Sequence, residues 1–366
     1  MINATAQNIN KKSAKKRVLV VPLDWGLGHA TRCIPVIADF LLQGFEVFLA
    51  GENAVAVILK EEFPTLIFLP LRGYRISYGK SRRSLFGKIL LQIPRAFLCI
   101  KNEKQWLKKM IGLYRIDIVL SDNRFGLYSK NAHCIFMTHQ LFIKTGNKFT
   151  EKIAQKINYR FINRFDECWV PDYADGENVA GELSHPEKMP KVPVKYIGIL
   201  SRFSKKPSGN KIDIVALVSG PEPQRSILES ILTEQLKTSR LKSVLMRGLP
   251  NKTEIQPVSG GLKTINHLPA KQLNDLLLTA GVIICRSGYS TIMDLISLGS
   301  SAILIPTPGQ TEQEYLGQYL AGKGYFILAS QQDFTLSDHL YVSNKTPLKL
   351  FQKQEGALSN AIIALQ

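Results

Sequence analysis

Residues 282–321 read VIICRSGYSTIMDLISLGSSAILIPTPGQTEQEYLGQYLA. The apolar runs at 282–285 and 302–305 have the length and composition of buried strands. The segments at 291–298 and 312–321 carry apolar residues at helical spacing, so the stretch predicts strand, helix, strand, helix. Because strands that alternate with helices form parallel sheets covered on both faces, we expect an α/β fold.

The same alternation extends toward both ends of the chain. A polar segment at 201–210 interrupts it, and it restarts with a strand at 212–219. We therefore expect two Rossmann-like domains after a basic, disordered arm, with these bounds: 1–16 for the arm, 17–200 for the N-terminal domain and 201–366 for the C-terminal domain. A last amphipathic helix at about 347–365 is a candidate to pack back on the N-terminal domain.

Composition places the chain among ordinary globular proteins. Of 366 residues, 45% are hydrophobic and 21% charged, which excludes fibrous and wholly disordered classes. The five cysteines are scattered without a CxxC pair, which argues against a disulfide framework or a zinc site and favours a reducing compartment. No apolar run reaches the roughly 18–20 residues that span a bilayer. We therefore expect a cytoplasmic protein, with any membrane contact peripheral and at the inner face.

Positive charge is concentrated in the first half of the chain. Residues 1–200 hold 30 Lys and Arg against 17 Asp and Glu, and the segment from Arg72 to Arg115 holds twelve basic residues and one acidic residue, Glu103. A second basic set recurs every four residues: Lys144, Lys148, Lys152, Lys156, Arg160 and Arg164. Three interpretations stay open: a solvated charged face, an anionic membrane surface, and nucleic acid. The third is disfavoured because no nucleic-acid-binding motif is present.

A glycine turn between the first strand and the first helix carries the candidate catalytic residues. Asp24, Gly26, Gly28 and His29 lie at this turn, where ligands bind in open α/β sheets. An imidazole with a pKa of about 6.5 can accept a proton from an attacking hydroxyl. His29 is therefore the candidate general base, and Asp24 either orients it or serves as the base itself. The alternative is an ordinary tight turn.

Three loops that follow strands of the second domain form the candidate donor site. The hydroxyls and N–H groups of Ser287, Gly288 and Ser290 open a helix and suit a diphosphate. Asp294 could accept both hydrogen bonds of a ribose diol. The remaining candidates would bind sugar hydroxyls or neutralise phosphate charge: Ser219, Gly220, Arg225, Gln313 and Glu314. Singly, each of these polar groups could equally be a solvated side chain of a helix's first turns.

Two loops that end adjacent strands of the first domain are candidate acceptor contacts. Asp122 and Arg124 lie in one loop and His139 lies in the other. Gly26 and Gly28 would line the same cleft, because strand-end loops meet at one edge of a parallel sheet. Ordinary loop hydrogen bonding is the alternative.

The stretch 282–321 resembles the donor signature of glycosyltransferase family 28. The matching residues are Cys285, Arg286, Ser287, Gly288, Thr291, Gly299, Pro306, Gln313 and Tyr315. The family usually has Glu where Asp294 stands and Gln where Glu314 stands. The resemblance extends over about 40 residues.

The resemblance implies a GT-B fold, in which two Rossmann-like domains face each other across a cleft. It implies a UDP-sugar donor in the C-terminal domain, with His267 and Leu268 at the base and Arg286 or Arg225 near the diphosphate. It further implies an acceptor near the N-terminal domain, inversion at the sugar, and no cofactor or protein-bound metal.

We therefore expect an inverting, metal-independent glycosyltransferase whose acceptor is unidentified and could be lipid-linked. Two alternatives remain. Residues 28–33, GHATRC, also resemble the GHxxRC loop of UDP-sugar hydrolases, in which the matching His activates water. A non-catalytic binder of nucleotide or nucleic acid is the other.

Overall fold

The computed structural model describes residues 15–24, 26–74, 82–207, 209, 212–250, 252, 260–345, 349–351 and 354–366, with the backbone alone at 82–94, 344 and 345. The predicted disordered arm at 1–16 lies outside these residues except for its last two lysines. Lys16 Nζ donates to the carbonyl of Leu365 at 2.8 Å.

The N-terminal domain is a parallel sheet of seven strands in the order β3-β2-β1-β4-β5-β6-β7. Its strands are β1 Arg17–Pro22, β2 Glu46–Gly51, β3 Ile67–Pro70, β4 Ile118–Asp122, β5 His133–Met137, β6 Glu167–Val170 and β7 Val194–Tyr196. Its helices are α1 Leu27–Leu42, α2 Asn53–Glu62, α3 Arg82–Tyr114 and α4 Lys148–Ile162, with a short 3-10 helix at Gly181–Leu183.

The C-terminal domain is a parallel sheet of six strands in the order β10-β9-β8-β11-β12-β13. Its strands are β8 Ile212–Leu217, β9 Ser243–Met246, β10 Leu262–Ile265, β11 Ala280–Cys285, β12 Ala302–Leu304 and β13 Ile327–Leu328. Its helices, some of which reach back to the first domain, are α5 Gln224–Thr238, α6 Ala270–Leu278, α7 Tyr289–Leu298, α8 Thr311–Gly322, α9 Leu336–Lys345 and α10 Ala357–Ile363.

Both sheets therefore repeat one strand order. Successive strands are added to one side of the first strand and then, from the fourth strand on, to its other side, so the strand order reverses between these two strands. Ligands of such sheets bind at this reversal, beyond the carboxyl ends of the strands. The two-domain α/β fold expected from the sequence is confirmed. The predicted boundary at 200/201 falls in the segment between β7 and β8.

Apolar residues cover both faces of each sheet. Val18 and Val20 of β1 pack in one core, and Leu19 and Val21 pack in another on the opposite face. All four are fully buried. This explains why the strands appear in the sequence as continuous rather than alternating apolar runs.

The last helix is shorter than the predicted helix at 347–365. It begins only at Ala357, because Gly356 adopts a left-handed φ of 88° that ends helical continuity on its N-terminal side. Before it, the backbone N–H of Lys349 donates to the carbonyl of Gly324 at 2.9 Å. The helix α10 packs on α1, where Ser359 Oγ donates to Asp39 Oδ2 at 2.7 Å.

No helix within the described parts of the chain combines the length and the apolar character needed to cross a bilayer.

Candidate active site between the domains

The register of the first sheet places His29 beside Asp122. Strands β1 and β4 pair Pro22 with Asp122, so the carboxylate lies next to the turn that starts α1. Gly26 makes that turn at a φ of 91°, and His29 follows in the first helical turn. His29 Nδ1 lies 2.9 Å from Asp122 Oδ2, which makes Asp122 the carboxylate that orients the imidazole.

This geometry corrects the role expected of Asp24. Its Oδ1 accepts from the backbone N–H of Tyr74 at 3.0 Å. A methyl group on Gly73 would collide with its other oxygen, at 1.8 Å, so the Asp24 carboxylate packs tightly against the 73–74 backbone. Asp24 therefore holds the segment after β3 and does not orient His29.

A guanidinium that we did not predict as a site residue lies at the centre of the cluster. Arg32 is 3% exposed, and its Nε donates to Asp122 Oδ2 at 2.9 Å while Nη2 donates to Oδ1. Nη2 also lies 2.8 Å from His29 Nδ1, and Nη1 lies 3.2 Å from His139 Nδ1. The signal in the sequence was its spacing, because residues three apart share a helix face.

The electrostatics leave His29 neutral and Asp122 ionised at neutral pH. Burial and the charge of Arg32 lower the pKa of His29 below 6.5, against the opposing effect of Asp122. Although burial raises the pKa of Asp122, Arg32 and His29 lower it more, to about 2. In the tautomer whose Nδ1–H donates to Asp122, Nε2 keeps its lone pair, and Arg32 Nη2 donates to Asp122 Oδ1 rather than to Nδ1. Within the described residues Nε2 makes no hydrogen bond, and 16% of the side chain is exposed.

Contacts from the C-terminal domain reach the same cluster. His139 Nε2 lies 2.8 Å from Glu312 Oε1, and Gln140 Nε2 donates to the other oxygen of that carboxylate. The His139 ring stacks on Tyr289 with centroids 4.0 Å apart. Ser290 Oγ donates to the carbonyl of Gly28 at 2.8 Å, one residue before His29. The loops predicted to hold the donor therefore touch the helix that carries the candidate base.

The donor loops are tied to each other by the side chains predicted to bind ligand. Ser287 Oγ donates to the carbonyl of Gln313 at 2.7 Å, and Gln313 Oε1 accepts from Thr307 N at 2.8 Å. Glu314 Oε1 accepts from Gly309 N at 2.8 Å. These atoms are occupied in the present geometry, so a ligand would meet mainly the N–H groups at the starts of α7 and α8.

The remaining donor-side candidates lie along the same sheet edge. Gly220 takes a left-handed φ of 107° after β8, and Ser219 beside it is exposed. Leu268 is partly buried against the core, whereas His267 Nε2 lies 3.4 Å from Glu61 Oε2 on α2. Thr291 lies in the first turn of α7, just beyond Gly288.

Two arginines expected near the diphosphate are bound to protein groups instead. Arg225 is held by the carboxylates of Glu222 at 2.6 Å and Glu229 at 2.5 Å. Arg286 is 1% exposed and donates to the carbonyls of Ile305, Pro306 and Gln224 and to Gln331 Oε1. Its burial lowers the pKa of Arg286 to about 10. Both side chains brace the loops, which corrects their predicted role.

Arg124 is also wrongly predicted as a cleft residue. It is fully buried, and its Nε donates to Glu103 Oε1 at 2.8 Å. Nη2 donates to the carbonyl of Arg72 at 2.8 Å, and the Tyr74 hydroxyl donates to Glu103 Oε2 at 3.0 Å. Asp122 at the end of β4 thus lies at the cleft, whereas Arg124 in the loop that follows is buried inside the N-terminal domain.

Asp294, the expected ribose contact, faces the segment that joins the two domains. Its Oδ1 accepts from Ser201 Oγ at 2.6 Å. Burial raises the pKa of Asp294 to about 6, although Arg202 and Ser201 act in the opposite direction. A carboxylate kept in a place that disfavours its charge costs stability, which is common at functional positions.

We expect Asp294→Asn to be more stable than the wild type at pH 7.5, by about 1–3 kcal/mol. The raised pKa of the folded state means that it binds the proton more readily than the unfolded state does. Stability therefore falls as pH rises from about 4 to 6, and Asn escapes that loss. Urea unfolding at several pH values measures the difference, which should vanish below pH 4. The exposed Asp333→Asn serves as control, and a less stable Asn variant at pH 7.5 would show that the carboxylate stabilises the fold.

Comparison with known proteins agrees with this architecture. Residues 218–364 match the glycosyltransferase family 28 C-terminal domain. The chain is similar to the UDP-N-acetylglucosamine--N-acetylmuramyl-(pentapeptide) pyrophosphoryl-undecaprenol N-acetylglucosamine transferase of Haemophilus ducreyi, with 23% identity over 340 residues, covering 89% of this chain and 88% of that protein. The enzyme of the same name from Actinobacillus pleuropneumoniae serotype 5b is 25% identical over 337 residues, covering 87% and 86%.

The solved structure of a spinosyn forosaminyltransferase superposes with a TM-score of 0.59, covering 96% of this chain and 93% of that chain at 14% identity. This likeness concerns the fold, which is the two-domain GT-B architecture. The chain is therefore a glycosyltransferase with the GT-B fold, and its C-terminal domain matches that of family 28.

Proposed function

We propose that this nucleotide-sugar glycosyltransferase transfers a sugar from a UDP-sugar to the hydroxyl of a lipid-linked acceptor, with inversion and without a protein-bound metal. The observation that carries the proposal is the His29–Asp122 pair, which lies beside the loops of the C-terminal domain that match family 28. The relatives named above act on a UDP-sugar and a polyprenyl-linked acceptor, as their names state.

The reaction then follows from the state of the base. The acceptor hydroxyl attacks the anomeric carbon while His29 Nε2 takes its proton, and the bond from that carbon to the UDP oxygen breaks. Asp122 stabilises the imidazolium that forms, as the orienting carboxylate does in other His–carboxylate pairs. A single displacement of this kind inverts the anomeric centre.

The negative charge that develops on the leaving diphosphate must be stabilised by hydrogen-bond donors. Because Arg225 and Arg286 are bound elsewhere, we assign this role to the backbone N–H groups at the starts of α7 and α8. Preorganised N–H groups of this kind stabilise transition-state charge without reorganising during the reaction.

Hydrolysis is the second candidate function, because the contacts of His29 do not distinguish a hydroxyl from water. His29 and Arg32 stand at the positions that the GHxxRC resemblance singles out, and Arg32 holds Asp122, the carboxylate that orients His29. Water in the acceptor position would be activated by the same base. The two functions differ in where the sugar goes, which a turnover assay separates.

A lipid-linked acceptor calls for a membrane-facing surface, and we propose that α4 supplies it. Phe149, Ile153 and Ile157 recur every four residues and are 72%, 46% and 52% exposed. Exposed basic side chains of the same helix flank them: Lys148, Lys152, Lys156 and Arg160. We call these seven residues the α4 stripe. Lys144, predicted to continue it, precedes the helix and pairs with Glu182 at 2.6 Å.

The neighbouring helix extends the same surface. Phe97 and Leu98 of α3 are 56% and 61% exposed, and the Phe97 ring lies 6.3 Å from that of Phe161 on α4. Basic side chains flanking apolar ones are typical of interfacial helices that bind anionic lipid. The enzyme would then work as a peripheral protein on the cytoplasmic side of the membrane.

Reversing two charges of the α4 stripe tests this surface. We expect Lys152→Glu with Lys156→Glu to weaken binding to phosphatidylglycerol vesicles about 30-fold, since each basic residue near such a surface contributes about 1 kcal/mol. Vesicle co-sedimentation measures the partition. The matched control reverses the exposed Lys237 and Lys271 of the C-terminal domain. Equal losses in both variants would indicate a diffuse charge effect and would remove α4 from the role.

Nucleotide binding tests the proposed function itself. Ligands that bind the folded state raise its melting temperature, so UDP should stabilise the protein more than ADP, GDP or an RNA oligonucleotide does. A UDP-sugar that stabilises the protein should then be consumed faster when a membrane-lipid extract is added. Stabilisation by RNA, with none by UDP, would contradict the proposed activity and indicate a nucleic-acid-binding protein.

A further inference from the structure

Glu312 is the carboxylate through which the C-terminal domain reaches the catalytic cluster. It lies in the first turn of α8, and 34% of its side chain is exposed. Its two oxygens are held by His139 and Gln140, both of which follow β5 of the other domain. Within the described residues it thus joins the two domains by hydrogen bonds at the cleft.

Hydrogen-bond polarity links Glu312 to Arg32. A carboxylate accepts, so His139 Nε2 carries the proton that it shares with Glu312. His139 Nδ1 then keeps its lone pair and accepts from Arg32 Nη1 at 3.2 Å. Without Glu312 the other tautomer becomes available, and its Nδ1–H would face the guanidinium as a second donor. Glu312 therefore sets the tautomer that matches Arg32.

Charge balance gives the second link. His29 is faced by Arg32 on its own helix, Asp122 from β4 and His139 after β5, and Glu312 from α8 contacts His139. Burial raises the pKa of Glu312, but His139, Arg32 and His29 lower it more. Because electrostatic interactions are reciprocal, the Glu312 carboxylate favours the protonated form of His29 and opposes the effect of Arg32 on it.

We propose that Glu312 is a positioning residue for His29: it orients His139 and, together with Asp122, balances the charge of Arg32 when the two domains are in contact. The pKa of His29 is then high enough for proton abstraction only while the C-terminal domain closes the cleft. The inference rests on the proposed role of His29 as the base, and it assigns to Glu312 an indirect action through His139 and Arg32.

Substitutions at Glu312 distinguish the effect of its negative charge from the effect of its hydrogen bond to His139. Glu312→Gln keeps the size and an acceptor oxygen for His139 but loses the charge, and Glu312→Asp keeps the charge. The control is Glu182→Gln, which removes another carboxylate near the domain junction, paired with Lys144. NMR titration of histidine-labelled protein follows the His29 signal, assigned by its loss in His29→Gln. Thermal melting verifies that each variant is folded.

We expect Glu312→Gln to move the His29 titration to lower pH, because the carboxylate that favours the imidazolium is gone. Glu312→Asp should restore most of the shift, and Glu182→Gln should leave it unchanged. In steady-state assays kcat should fall by about 10–100-fold in Glu312→Gln while the donor KM stays near its wild-type value. The acidic limb of the kcat/KM profile should follow the NMR midpoint.

An unchanged His29 midpoint with a raised donor KM would overturn the proposal and make Glu312 a direct sugar contact. An unchanged midpoint with an unchanged KM would overturn it as well. Failure of the proposed function has another signature: His29→Ala would keep full turnover. The NMR midpoints report on the link between Glu312 and His29 whether or not that happens.

Discussion

His29→Ala lowers kcat/KM for sugar transfer by about 10²–10⁴-fold while UDP binding stays unchanged, because a positioned general base accelerates a reaction by a factor of that size. Neighbouring groups cannot replace it in the geometry described. Asp122 is fully buried and bound by Arg32, and His139 Nε2 faces Glu312. The His29 imidazole is thus the one group of this cluster whose nitrogen is left to meet an acceptor.

The pH dependence of the same reaction follows from the lowered pKa of His29. The base works as neutral imidazole, so wild-type kcat/KM should be constant above pH 6.5 and fall as pH drops through the pKa below it. Steady-state assays with a UDP-sugar and acceptor lipid measure both effects. His133→Ala is the matched control, since His133 is a half-exposed histidine of the same domain. A His29→Ala variant with wild-type turnover would place the base elsewhere.

Arg124→Ala loses about 3–5 kcal/mol of unfolding free energy, because it leaves the Glu103 carboxylate buried without its ion-pair partner. Burial alone already raises the pKa of Glu103, and Arg124 is the first of the groups that counteract it. The loss should be larger at pH 8 than at pH 5, since protonation relieves an unpaired buried carboxylate. Urea unfolding at the two pH values measures it.

Arg160→Ala is the control for that experiment. Arg160 is exposed on α4, so its loss should change stability by less than about 0.5 kcal/mol. If Arg124→Ala were as stable as the control but had a raised acceptor KM, the original interpretation of Arg124 as a cleft residue would be right and the buried ion pair would contribute little.

The fold could be predicted from the sequence because its signals are local. Continuous apolar runs such as 282–285 reflect strands covered on both faces, and β11 occupies that run. The order of the elements then restricts the topology, since parallel connections are right-handed. Strand ends also identified Asp122 and His139 as neighbours at the cleft, because β4 and β5 pair in register.

Directions of long side chains could not be predicted in the same way. A strand-end loop brings Asp122 and Arg124 to one edge, but an arginine can reach back into the domain and Arg124 does so. Arg225 binds carboxylates near it in sequence, and Arg286 binds carbonyls of neighbouring loops, for the same reason. Which acceptors lie within reach depends on packing between distant segments, which spacing along the chain does not encode.

Arg32 and Glu312, which were not predicted as site residues, differ in how far the sequence could have indicated them. Arg32 stands three residues after His29 on the same helical face, so helix geometry alone pointed to it. Glu312 is adjacent to Gln313, but successive helical residues point about 100° apart, and only Glu312 faces the N-terminal domain. Its role depends on how the two domains are placed, for which the sequence of either domain contains no signal.

The central claim, transfer of a sugar to a lipid-linked hydroxyl, is tested most directly by following the label from a panel of radiolabelled UDP-sugars. The protein is incubated with each donor, with and without a membrane-lipid extract, and the organic and aqueous phases are counted. We predict that label from one donor enters the organic phase only when the extract is present, with UDP released in equal amount. Release of free labelled sugar at the full rate without extract would contradict the claim and identify a hydrolase.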